Sequence, residues 1–154
     1  SMGYALGNVV LQTAGKIDCT SSPERIITVR RGYVCKCQKR ESNMHKMRPT
    51  KEFNFIPDGS RDMSVDAMII GDIAMVGLQP ELDGITVAQI RDRSPYEKTM
   101  VCCFVNGNGK NMPQRESYRL IQRAAMNSPF AEGSAEQTRD VAVGLLHDLK
   151  NNIC

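Results

Sequence analysis

The side chains in this sequence best suited to chemistry are cations. Nine of the twenty Lys and Arg residues fall between Arg25 and Lys51, against a single acid, Glu41. That stretch carries a formal charge of +8 in a chain whose net charge is +3. Within it, Arg30, Lys36, Lys39, Arg40, Lys46 and Arg48 are the cations expected to face solvent. A second group, Arg115, Arg119 and Arg123, recurs every four residues, which on an α-helix puts all three on one side. A row of guanidinium groups matches phosphate geometry, and ammonium groups add point charge. These nine residues are read as one surface for a polyanion, RNA or another nucleic acid being the expected partner. Phosphate contacts give affinity without sequence information. Tyr33 and Phe53 are weak candidates for base stacking, since their spacing suits core packing better. Binding without strong sequence preference is therefore expected. An anionic membrane surface could use the same charges, but no clear amphipathic insertion helix accompanies them, so it ranks behind nucleic acid. The bland alternative is that the charges are a solvated face.

Other chemistries have weaker signals. Cys35, Cys37 and His45 could begin a zinc site, but the Cys-x-Cys spacing lacks the paired motifs of such sites and a fourth ligand must come from elsewhere. Cys102 or Cys103 with His45 or His147 could form a nucleophile and base only through tertiary contact. The acids Asp58, Asp62, Asp66, Asp72, Glu81 and Asp83 could hold magnesium in a phosphodiester-cleaving enzyme, although acid-lined turns explain them more simply. The run Asn106-Gly-Asn-Gly-Lys-Asn111 lacks the full phosphate-loop pattern and reads as a turn. No catalytic residue, metal ligand or cofactor is assigned. A small hydrolase or nuclease is the rival reading, and a self-associating assembly protein is a third. The third follows from charge asymmetry: residues 52–97 are net acidic beside the basic stretch, which favours contacts between copies.

The elements that must position these residues follow from period and punctuation. Ile26–Gln38 alternates as a strand, with Ile27, Val29, Tyr33, Cys35 and Cys37 on one face and Arg30 and Lys36 on the other. Arg31 breaks the apolar side, so a bulge is expected at Gly32 or Arg31 at the sheet rim. Lys39–Lys51 has no period and reads as an exposed basic loop. Tyr4–Thr13 reads as a strand. Glu52–Ile56 is a short strand stopped by the Pro57-Asp58-Gly59-Ser60 turn. Met63–Leu78 reads as a short helix or turn leading into a strand near Ile73–Leu78. Thr86 with Gln89 and Ser134 with Gln137 resemble capping boxes. Lys98–Val105 is a strand, with Asn106-Gly107 able to close a hairpin. Pro113 opens a helix that runs to Met126, with Tyr118, Ile121, Ala124 and Ala125 on its apolar face. Ala135, Val141, Ala142, Leu145, Leu146 and Leu149 form the buried stripe of a last helix ending near Lys150.

Strands first and two substantial helices last predict an α+β fold, a mainly antiparallel sheet covered by two C-terminal helices. At 154 residues and 41% hydrophobic content, residues 1–154 are expected to form one compact domain with an exposed basic loop near 39–51. No apolar run reaches the length of a membrane span. Six cysteines without a secretion signal point to reduced thiols in an intracellular compartment, cytoplasmic or nuclear.

Overall fold

A computed structural model of the chain describes residues 1–18, 25–40, 55–107, 109–120 and 123–153. The element order is α1 (Met2–Ala14), β1 (Ile26–Arg40), β2 (Phe55–Ile70), β3 (Ile73–Leu78), β4 (Glu81–Leu82), α2 (Gly84–Asp92), β5 (Lys98–Cys102) and β6 (Asn111–Met112). A 3-10 turn over Arg115–Arg119, α3 (Arg123–Asn127) and α4 (Ser134–Ile153) complete it. The main sheet has the order β1-β2-β3-β5. Its first two pairings are antiparallel and the third, β3 with β5, is parallel. Thus the α+β fold is as the sequence implies: a mixed, mostly antiparallel sheet with C-terminal helices.

One face of the sheet makes the core. Alternation sends Cys35, Met63, Val65, Ala67, Ile69, Ala74, Val76 and Leu78 inward, where they meet Ala142, Leu145, Leu146 and Leu149 of α4 and Ile90 of α2. Arg31 lies on this inward side without a bulge at Gly32. Its guanidinium instead reaches the rim and bonds Asp148 of α4 at 2.6 Å. The register shift comes later, between Lys36 and Gln38, and turns both Cys37 and Gln38 inward.

Several local expectations are corrected. Residues 2–14 are helical, and none of them is buried. Met2, Leu6, Val9 and Thr13 recur at helical spacing, and that period outweighs the local alternation of Tyr4 and Leu6. The Pro57-Gly59 turn does not stop a strand. β2 runs through it to Ile70, with Gly59 taking φ +74 opposite the shift in β1. The stretch from Met63 is strand, not helix, and turns tightly at Gly71 (φ +57) into β3. Lys98 does open a strand, but Asn106-Gly107 closes no hairpin, because β5 is parallel to β3.

Neither capping box forms. Asp83, not Thr86, caps α2, accepting from the amides of Ile85 and Thr86, and Gln89 instead accepts from Arg139. Gln137 reaches away from its own helix start to donate to the Val34 carbonyl at 3.0 Å. The expected helix over 113–126 is two pieces, the 3-10 turn and α3. Leu120 between them is extended at φ −112, ψ 150.

Candidate nucleic-acid interface

β3 pairs only with Val65–Ile70 of β2, so the far half of the β1–β2 ribbon extends past it. That far half carries Lys36, Lys39 and Arg40, all exposed. Arg61, which the sequence reading left out, stands opposite Cys35 in the same ribbon and is exposed. It was hidden because the preceding Pro-Asp-Gly looked like the end of a strand. Lys46, Arg48 and His45, and with them most of the expected basic loop, lie outside the described residues, as does Phe53.

β1 is an edge strand, and residues 129–131 line part of that edge. Gln38 donates its amide to the Pro129 carbonyl at 2.8 Å, and the Ala131 amide donates to the Lys36 carbonyl at 3.0 Å. Phe130 between them bridges to Cys37 and is 2% exposed. Glu132 follows directly. Its Oε1 lies 3.8 Å from Nε of Arg115 and 3.9 Å from an Nη of Arg119. The helix-side arginines and the strand-side lysine therefore sit on neighbouring elements, joined by one short segment. Arg123 is exposed at the start of α3, beyond Leu120, so the three arginines do not form a single helical row.

The charges are not all equally free. Lys39 pairs with Asp58 at 2.8 Å, both side chains about half exposed, and such pairs are weak and salt-screened. Arg30 is different. Its Nε and Nη2 grip the two oxygens of Asp66 at 2.6 and 3.1 Å, a forked geometry. Asn106 adds an amide donor to the same carboxylate at 2.9 Å. The hydrogen bond from Arg30 holds the Asp66 carboxyl below the ordinary range, against a smaller opposing effect of burial. Arg30 also lies about 20 Å from Lys36 along the strand, given the usual rise per residue. The structure therefore separates it from the other basic residues.

The aromatic rings near the basic edge are occupied. The Tyr33 hydroxyl bonds Thr138 Oγ1 at 2.7 Å, and burial pushes its pKa up to about 12. Tyr118 is buried and donates to the Phe130 carbonyl, and Phe55 meets its ring edge-on. None of these three is free to stack on a base without leaving its place.

The candidate catalytic groups are dispersed. Asp72 pairs with Lys98, Glu81 accepts from Asn111, and Asp83 caps α2 while also accepting from the Gln114 amide. His147 Nε2 is 3.1 Å from the Arg93 carbonyl. Cys35 and Cys37 are buried, and burial raises the Cys35 thiol pKa. Among the described residues, no three His, Cys, Asp or Glu side chains come together as a metal group. No described helix is long and apolar enough to cross a membrane. No family model matches this sequence, and no curated protein or solved structure matches it.

Proposed function

We infer that this chain is a non-enzymatic interaction protein that binds a polyanion, most simply RNA or another nucleic acid, where residues 129–132 line the outer edge of β1. The surface consists of Lys36, Lys39 and Arg40 from β1 with Arg115, Arg119 and Arg123 from the 113–127 segment. Lys46 and Arg48 follow Arg40 in sequence and belong to the same proposal. The hydrogen bond from Ala131 to Lys36 carries the reading, because it holds beside β1 the segment whose next residue, Glu132, lies near Arg115 and Arg119. Arg30 is left out of the contact set, since Asp66 already holds it.

Asp58 and Glu132 compete with any incoming phosphate, so affinity is modest, in the range of about 10⁻⁴–10⁻⁶ M usual for nonspecific binding. The occupied rings of Tyr33 and Tyr118 favour binding without sequence preference. Free buried thiols two residues apart, Cys35 and Cys37, suit a reducing intracellular compartment, cytoplasmic or nuclear.

The reading is tested by fluorescence anisotropy on labelled single-stranded RNA with two double variants, Lys36→Gln/Arg40→Gln and Arg115→Gln/Arg119→Gln. Each folded variant should lose affinity at least about five-fold, and similarly for unrelated sequences. Unchanged affinity in both would reject the surface.

A further inference from the structure

The helix α1 and the uncovered face of the sheet present the same problem from two sides. α1 contains no charged residue, and its Met2, Tyr4, Leu6, Val9, Val10 and Leu11 are all between 56% and 89% exposed. At 100° per residue only Asn8 and Gln12 form a polar strip. A helix apolar over so much of its circumference belongs against another surface.

The face of the sheet turned away from α4 is also apolar. Ile26 is 62% exposed, Met68 37% and Met100 53%, with Met75, Cys102 and Val105 half-buried beside them. A depression of about 520 Å³ lies across it, floored by Gly77, where a Cβ would come within 2.9 Å of Val105. A contiguous apolar face of this kind marks a contact surface.

We propose that two copies of the chain exchange α1, each laying its helix across the open sheet face of the other. Four features on these elements support a second copy as the occupant. First, α1 buries none of its own side chains against its own chain, so as it stands its apolar surface is available to another molecule. Second, one chain carries both halves of the contact, which allows a closed two-fold exchange. Third, the dimensions agree: a 13-residue helix is about 20 Å long and about 10 Å wide, and four strands span about 15 Å. Fourth, the charges agree. An uncharged helix needs a face without open charge, and on that face Arg30 pairs with Asp66 and Lys98 with Asp72. Flexible Met68, Met75 and Met100 can adapt to the helix surface. The exchange does not depend on polyanion binding at the β1 edge.

The test uses the full chain, the variant Leu6→Glu/Val10→Glu and the variant Met68→Lys. Sedimentation gives mass across a concentration series, and iodoacetamide labelling mapped by mass spectrometry gives the reactivity of Cys102. The unmodified chain should become dimeric as concentration rises, with Cys102 labelling slowed at least ten-fold in the dimer. Both variants should stay monomeric, with concentration-independent labelling. Because α1 is exposed throughout, the helix variant should keep the circular dichroism and melting of the sheet body. An equimolar mixture of the two variants should recover a dimer, since one intact helix and one intact face remain. Three results would overturn the exchange. One is a monomer with Cys102 freely reactive at all concentrations. Another is a monomer whose Cys102 is protected until the helix is substituted, which would put α1 on its own sheet. The third is a dimer indifferent to both variants.

Discussion

A Cβ placed on Gly133 would lie 2.9 Å from Nη2 of Arg115. Gly133 holds φ +91, and its carbonyl accepts the Gln137 amide at the start of α4. The glycine therefore allows α4 to begin while the Arg115 guanidinium passes over it toward Glu132. Gly133→Ala should cost about 1–3 kcal/mol of stability from backbone strain. It should also weaken RNA binding by displacing Arg115. Urea denaturation with a parallel binding curve checks both, and a change under about 0.5 kcal/mol would show that the conformation is dispensable.

Phe130 joins the basic edge to the core. It is 2% exposed, its amide is held by Ser128, and its carbonyl accepts from Tyr118. Phe130→Ala should destabilise the fold by about 3–5 kcal/mol, as for other buried aromatic truncations. Loss of the ring should also loosen the Ala131–Lys36 hydrogen bond. Hydrogen exchange at the Ala131 amide should rise in the variant by more than global destabilisation alone explains.

Tyr33 and Tyr118 should resist ionisation. Burial is the main cause for both, and each pKa is pushed up to about 12. In the unfolded chain a tyrosine ionises near ~10. The neutral form is therefore favoured by folding, and stability should fall as pH rises from about 10 toward about 12. Ultraviolet titration should show Tyr33 and Tyr118 lagging in the native protein and neither after denaturation. Tyr33→Phe should remove one lagging group and cost about 1 kcal/mol, the usual worth of a lost hydrogen bond.

Asp66 should behave in the opposite sense. Its folded pKa is lowered, first by the hydrogen bond from Arg30. The stabilisation is therefore present above the unfolded value near ~3.9 and is lost as pH falls through the lower folded value. Carbon-13 NMR of the side-chain carboxyl should place its midpoint below that of a model aspartate. In Arg30→Gln it should move back upward. An unshifted midpoint would mean that the forked pair does not persist in solution.

The architecture was legible where one periodicity dominated. Alternation in β1 placed Tyr33 and Cys35 inward, and the stripe from Ala135 to Leu149 marked α4. Local signals misled where tertiary contacts competed with them. Pro57-Asp58-Gly59 has turn chemistry, yet pairing with β1 absorbs it as an irregularity within a strand. Gln137 has a capping position, but the Val34 carbonyl, 103 residues away in sequence, takes its amide. Arg31 looked misplaced because its partner, Asp148, is 117 residues distant. The four-residue spacing of Arg115, Arg119 and Arg123 implied a helix that Leu120 interrupts. Arg115 and Arg119 reach the strand side by way of residues 129–132, a route no spacing rule could show.

The most direct measurement of the proposed surface is the salt dependence of RNA binding. Single-stranded RNA of unrelated sequences would be titrated by anisotropy from low to physiological salt. If the β1 edge neutralises phosphates, log K should fall linearly with log salt at a slope between about −2 and −4, at about −0.7 per phosphate. The slope should be shallower by about 1 or more in Lys36→Gln/Arg40→Gln. A flat dependence, or binding unchanged by that substitution, would contradict the account.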